Sequence, residues 1–547
     1  MRLDNPSQET FMPVTTFKKE ISTFSLMMTG LTSIIGSGWL LGTQKIAELT
    51  GPASVLAWIL GAVIALMVAL FYVEIGSAFP SAGGIGYYSH ITHGRFCGFL
   101  TSWINWLSIV AVPPIEAQAV IQYLSQINTT FMMLYDPISH SLTSLGLLIA
   151  TGIMMIFMLI NYWSVKFFIR FNNIFTIIKI IVPIVTIICL VYSGLHAANF
   201  GTSVKEFMPY GPSSLFTAVI TCGVVMSFNG FQAPLTFSEE ISNPRRMLPI
   251  AVIGCILIAL VLYVVLQLVF VGSIDYNLIT QGWAAVNYRS PYVQLLLAAN
   301  MQIIATSLYA GSVISPGVCG VAFAASSSRI MYSLAKERHL PEVLAKIHPI
   351  YKVPRHSMIA CTVVGFIFLF LFKGWYSLVA VVSVLHVFSY LAAPVIAVAN
   401  YRKNKTLMEA KGQFILKGRY FLAPVLMFLL SVLLFYAQWP ITGEMLVLII
   451  PGLLFYFYYD FKYYGDQKFS TNFKGASWLF YYVLGIALIA YLGNNPDGNL
   501  ISFSTSMLLL IILSTFTYVY GAFYAAGVSP ASKTVISGVA QSQDAVV

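Results

Sequence analysis

Long apolar segments, separated by short polar breaks, recur along the whole chain, most of them about 18 to 28 residues long. A helix rises about 1.5 Å per residue, so such a segment crosses the roughly 30 Å hydrocarbon layer of a bilayer. The segments are 23–48, 52–78, 96–127, 142–162, 171–194, 213–239, 249–273, 303–330, 357–373, 376–400, 420–438, 444–463, 475–493 and 500–526, fourteen in all. Composition agrees: 58% of the 547 residues are hydrophobic and 9% are charged, which a water-soluble fold of this size does not accommodate. A segment cut off from water must satisfy its own backbone groups, so these are helices. A membrane barrel would show short strands of alternating polarity instead. The expected fold class is therefore an all-α polytopic membrane protein whose solvent is the lipid bilayer.

Fourteen crossings place both termini on one side. With that side cytoplasmic, 24 of the 29 Lys and Arg fall on inner ends and loops. Lys45, Lys205, Arg289 and Lys373 fall outside, and Lys179 lies within a span. The stretches 329–355 and 401–420 carry much of this bias, which is the one that orients membrane proteins in a cell (inner or plasma) membrane. The net charge of +10 thus reflects orientation and does not call for a nucleic-acid partner. The acidic Asp4 and Glu9 in the first stretch argue against a signal peptide. Residues 1–20 are expected to be a cytoplasmic segment and 527–547 a disordered cytoplasmic tail. The segment 274–300 is the longest external connection and is expected to carry short interfacial helices. Six scattered cysteines show no metal or disulfide spacing, no metal or cofactor is called for, and no enzyme motif is present.

Two spans are weakened in their middles. In the first, Gly36-Ser37-Gly38 interrupts "TSIIGSGWLL"; in the sixth, Ser227-Phe228-Asn229-Gly230 interrupts "CGVVMSFNGFQAPL". One Gly-x-Gly alone suits close helix packing. Spans one and six, however, correspond in a five-plus-five inverted repeat, and paired interruptions point to a transporter's binding site. Amides freed after Gly36 would hold a carboxylate, aided by the helix dipole. Carbonyls freed near Ile35 and over Met226–Asn229 would accept from an ammonium group. The pair suits a small zwitterion such as an amino acid.

These motifs resemble the amino acid–polyamine–organocation (APC) transporters. The likeness lies in "IIGSG", in "FYVEIGSAFPSAGGIGYY" (71–88), in "SFNGFQ" through "SEEISNPRRMLPIA" (227–251) and in 327–355. It covers roughly residues 18–405. It implies a LeuT-like core of ten helices, 21–405, in two inverted repeats, with broken helices one and six and alternating access. Residues 406–526 then supply four additional helices. Within the family, "GSGWLL", "LINYWSVK" (159–166) and "ISPG" (314–317) are most similar to the bacterial aspartate–proton symporter group. The family commonly has Glu where this chain has Gln232, and often an aromatic gate where it has Met226. That leaves Phe228 and Phe231 as gate candidates.

Four ionisable residues lie well inside the spans: Glu74, Glu116, Lys179 and His386. Each costs roughly 3 kcal/mol at the bilayer centre and so needs a reason. Lys179 lies nine residues past Arg170, too deep for easy snorkelling. A lysine kept from water is instead one that can shed and regain a proton during a cycle. The resemblance adds that a span-five lysine in proton-coupled members stands where relatives bind sodium. Glu116, just after Pro113-Pro114, has three open readings: ammonium binding, proton transfer, or pairing with a polar neighbour. Glu74 and His386 read first as structural, and Ser312 and Ser315 as partners of Lys179 or of the site. The expected function is proton-coupled amino-acid symport, with aspartate or glutamate as candidate substrates. Ile35, Gly36, Ser37, Gly38, Met226, Ser227, Phe228, Asn229, Gly230 and Phe231 would bind substrate, and Lys179 and Glu116 would carry the proton. The rivals are exchange without net proton movement, a sensor, or a channel.

Overall fold

The computed structural model describes residues 21–81, 83–128, 130–163, 165–410, 412–464 and 469–526. The calls on 1–20 and 527–547 lie outside these residues. In chain order the helices begin with α1 (Thr23–Ile34), α2 (Gly38–Thr50), α3 (Ser54–Ala78), α4 (Gly84–His93), α5 (Arg95–Val110), α6 (Val112–Leu124), α7 (Ser144–Trp163) and α8 (Val165–Ser193). Then come α9 (Val204–Phe207), α10 (Ser213–Thr221), α11 (Val224–Phe228), α12 (Ala233–Thr236), α13 (Pro244–Ser273), α14 (Tyr276–Thr280), α15 (Pro291–Ala298) and α16 (Gln302–Lys336). The last are α17 (Arg355–Leu371), α18 (Trp375–Tyr390), α19 (Ala392–Lys403), α20 (Lys405–Met408), α21 (Arg419–Tyr436), α22 (Ile441–Tyr464), α23 (Phe469–Gly493) and α24 (Phe503–Val519). A two-residue ladder, β1 (Tyr135–Asp136) against β2 (Ser141–Leu142), is antiparallel with Tyr135 opposite Leu142.

The protein is an all-helical, multi-pass membrane protein. Eleven helical runs among the described residues are long and apolar enough to cross a bilayer. The fourteen expected spans differ from that number at three places, for a physical reason in each. The first is split between α1 and α2, the sixth is divided among α10, α11 and α12, and the ninth, α17, has only 17 residues. Pro113 and Pro114 begin α6 after a break at Ala111, as a proline pair at a helix start requires. The segment 274–300 does carry short helices, α14 and α15.

Burial sorts the helices into centre and rim. The apolar windows of α5–α6 and of α18–α19 are wholly enclosed, whereas those of α8 and α22 are mostly open to the surroundings. Helix α8 shows how the sequence encodes this. Ile174, Ile177, Ile181, Ile184 and Ile188 recur at helical spacing and are exposed, while Asn172, Thr176, Lys179 and Thr186 occupy the opposite, buried face. In a bilayer the polar stripe turns inward, so Lys179 points to the protein centre and not to the headgroups.

The C-terminal helices are fastened to this centre by a buried ion pair. Arg419 of α21 lies 3.0 Å from the Glu74 carboxylate of α3, with both side chains nearly fully enclosed. The Leu416 amide donates to the same carboxylate at 2.7 Å, and the Arg419 guanidinium lies 3.4 Å above the Tyr401 ring. Removing one partner strands the other charge away from water. Arg419→Ala should therefore cost about 3–5 kcal/mol, read as a lowered melting temperature in detergent. The double change Glu74→Leu/Arg419→Met should recover most of it.

Candidate functional site

The first interruption is a true loss of helix at residues 35–37. Ile35 leaves the helical region at ψ 83°, and α2 restarts from Ser37. The carbonyls thereby released are taken up one after another by side chains of neighbouring helices. Lys179 Nζ of α8 donates to the Thr32 carbonyl at 2.6 Å, and Cys319 Sγ of α16 to the Ser33 carbonyl at 3.3 Å. The Tyr263 hydroxyl of α13 donates to the Ile34 carbonyl at 2.9 Å, and the Ser315 hydroxyl of α16 to Ile35 and Gly36 at 3.2 and 3.1 Å. Where α2 begins, the Ser37 amide donates to Glu116 Oε2 of α6 at 3.0 Å, and Trp375 Nε1 of α18 donates to the Ser37 hydroxyl at 2.9 Å.

The second interruption is double. The chain turns at Gly223 (φ +87°) before α11, then runs extended through Asn229 and turns at Gly230 (φ +116°) before α12. The Asn229 amide folds back on the Val225 and Met226 carbonyls at 3.1 and 3.0 Å, and the Tyr263 hydroxyl also reaches the Ser227 carbonyl at 3.3 Å. Among the described residues, the Phe228 and Asn229 carbonyls receive no such donor. The Asn229 carboxamide is held between His386 Nε2 and the Tyr390 hydroxyl, 3.2 Å away. Phe228 packs edge-on against Trp58 and Tyr263, at 6.1 and 5.5 Å between ring centres, and Phe231 packs on Tyr390 at 5.7 Å.

The two breaks interlock through their glycines. A Cβ on Gly38 would collide with the Ser227 hydroxyl of the other break. A Cβ on Gly230 would lie 2.6 Å from the Ser33 carbonyl carbon, and the positive φ there already disfavours any L side chain. Beside this crossing lies a cavity of about 20 Å³, room for about one water molecule. Ser33, Asn105, Asn229, Gly230, Gln232 and Phe323 are among its walls, and it extends toward the turn between α3 and α4. On the opposite side Trp375 covers Ser37 and packs against Gly223.

Comparison with known proteins gives this arrangement its context. A family model described as amino acid permease matches residues 21–459. The chain belongs to that family, in the APC superfamily. The match runs beyond the expected ten-helix core into α22. The glutamate/serine transporter AimA of Bacillus subtilis (strain 168) is 40% identical over 506 residues, covering 92% of this chain and 93% of the relative. The aspartate-proton symporter of the same organism is 30% identical over 514 residues, covering 93% and 96%. Its methylthioribose transporter is 24% identical over 461 residues, covering 81% and 94%. The protein is thus an amino-acid transporter and not an enzyme.

The permease brings every expected site residue to one place. Ile35 to Gly38 meet Ser227 to Gly230, with Met226 and Phe231 buried alongside, and Lys179 and Glu116 hold the two ends of the first break. The Ile35 carbonyl already accepts from Ser315, and among the described residues the Phe228 and Asn229 carbonyls receive no donor. Ser315 thus serves the break, one of the two roles expected of it, whereas Ser312 bonds the Tyr309 carbonyl of its own helix and is corrected as a partner of Lys179. Tyr263, Cys319, Trp375 and Thr32 were not anticipated, although a lone tyrosine in the apolar run of α13 was a visible signal. Gly38→Ala should abolish uptake and Gly38→Ala/Ser227→Gly should restore part of it, measured in proteoliposomes. Gly230→Ala, blocked by backbone, should lose about 1–3 kcal/mol of stability with no single-residue rescue.

Proposed function

We propose that this permease is a proton-coupled symporter for short acidic or hydroxyl-bearing amino acids, working by alternating access. The observation that carries the reading is the pair at the first break: an ammonium, Lys179, on a carbonyl at the end of α1, and a carboxylate, Glu116, on an amide at the start of α2. A substrate carboxylate seeking the Ser37 and Gly38 amides must displace Glu116. Deprived of its amide in a water-poor site, Glu116 holds its negative charge at greater cost and takes up a proton. Substrate entry thereby loads a proton. The substrate ammonium goes to the open Phe228 and Asn229 carbonyls, and Phe228, between Trp58 and Tyr263, forms part of the gate. Loss of the Lys179 proton weakens its hold on Thr32, which frees α8 from α1 when the carrier resets. The printed names of the relatives, glutamate/serine and aspartate, support the substrate class.

The moving unit in this reading is the bundle of spans one, two, six and seven, within a ten-helix inverted-repeat core followed by four further helices. Its internal bonding supports that assignment. Gln267 of α13 receives the Trp58 indole N–H at 2.8 Å and donates to Ser54 Oγ at 2.9 Å and to the Thr43 carbonyl at 3.2 Å, tying α13 to α3 and α2. In the fourteen-crossing topology with both termini cytoplasmic, the cavity lies on the inner side. Below it, Arg329 of α16 pairs with Glu240 at 3.5 Å and lies 4.3 Å above the Phe237 ring.

The purified protein in proteoliposomes should accumulate labelled glutamate, aspartate or serine when the outside is acidic, and a protonophore should abolish the gradient. Lys179→Ala should permit no accumulation above equilibrium, and Glu116→Gln should flatten the pH dependence of uptake. Uptake that needs internal amino acid and ignores the pH gradient would replace symport by exchange.

A further inference from the structure

Gln232 lines the cavity beside the breaks, is 4% exposed, and has neither its amide nitrogen nor its amide oxygen in hydrogen-bonding geometry with a partner. The Tyr390 hydroxyl donates to Asn229 and stands close enough to interact with the Gln232 carboxamide, short of hydrogen-bond geometry. The other polar groups of the cavity are more occupied. The Ser33 and Ser326 hydroxyls are turned onto carbonyls of their own helices at 3.1 and 3.0 Å. The Asn105 carboxamide oxygen accepts from Ser389 at 3.1 Å, which commits its oxygen and not its nitrogen. No charged side chain lines the cavity. A buried carboxamide left open in such a place presents one donor face and one acceptor face to whatever enters.

We infer that Gln232, with the Asn105 amide nitrogen beside it, receives the end of the substrate side chain, and that this subsite selects amino acids with short side chains ending in oxygen. The inference rests on the reading above, in which the backbone breaks hold the substrate's own carboxylate and ammonium. An N–H of Gln232 donates to a hydroxyl, carboxamide or carboxylate oxygen, and its carbonyl accepts from a hydroxyl. An aliphatic side chain leaves both faces unpaired in a dry site, and a cationic one meets no anion. Ile109 and Phe323 close the cavity against large rings. The role is one of specificity: it sets which amino acid is carried, while Glu116 and Lys179 concern the proton.

The test uses the full chain in proteoliposomes under an imposed proton gradient, with labelled glutamate, serine, alanine and lysine. Wild type should favour glutamate and serine over alanine and exclude lysine. Gln232→Leu should lower the glutamate-to-alanine and serine-to-alanine uptake ratios by about tenfold or more, because a site built to bond a polar group discriminates strongly for it. Gln232→Asn should lower them less. Gln232→Glu, similar in shape but acidic, should lower the glutamate-to-serine ratio by a comparable factor, and it decides the matter if the leucine variant fails to fold. Ratios equal to wild type in Gln232→Leu, or in Gln232→Glu where that variant decides, overturn the subsite. Wild type that moves none of the amino acids overturns the transport reading itself, so the two failures are distinct.

Discussion

A helix broken inside a membrane must give its carbonyls to something other than water. Five consecutive carbonyls, Thr32 to Gly36, are released at the first break, and each meets a side-chain donor. The donors come from α8, α13 and α16, and Glu116 and Trp375 bring in α6 and α18 on the other side. In hydrocarbon an unsatisfied backbone group costs several kcal/mol, so these contacts fix where the surrounding helices can stand. The break is the point from which the packing of the core is set.

The same rule explains the charge pattern. The end of α1 is rich in carbonyl oxygen and the start of α2 in amide hydrogen, so one favours a cation and the other an anion. The protein satisfies both with its own Lys179 and Glu116. In the proposed cycle an arriving amino acid therefore finds the amides of the break already held by a carboxylate, and its own carboxylate binds by taking the place of Glu116 more than by filling a void. The small cavity agrees, since it must enlarge before any amino acid fits.

Much of this was legible in the residues. Apolar length and the scarcity of charge determined the helical membrane class, and Gly36-Ser37-Gly38 with Ser227–Gly230 marked both breaks. The depth of Lys179 showed that it needed a partner. What could not be read was which distant side chains would serve the carbonyls. Tyr263, Cys319 and Ser315 are ordinary residues in apolar helices, and only the crossing of α13 and α16 beside the break gives them a task. The turn at Cys222-Gly223 was missed because the apolar pattern runs through it without a pause. Ser312 was misplaced for a related reason: a serine in a membrane helix can always bond its own preceding turn.

The interlock of the two breaks has a consequence for how such a chain can change over evolutionary time. Gly38 leaves space for Ser227, and Gly230 leaves space for Ser33, so each break is shaped by the other. A lineage that enlarges Gly38 must already carry a compensating loss at Ser227, whereas Gly230 meets backbone and has no such partner to shrink. Neutral drift is thus closed at both positions one residue at a time, and a paired step opens only the first. The two segments, far apart in the chain, are inherited as a single unit.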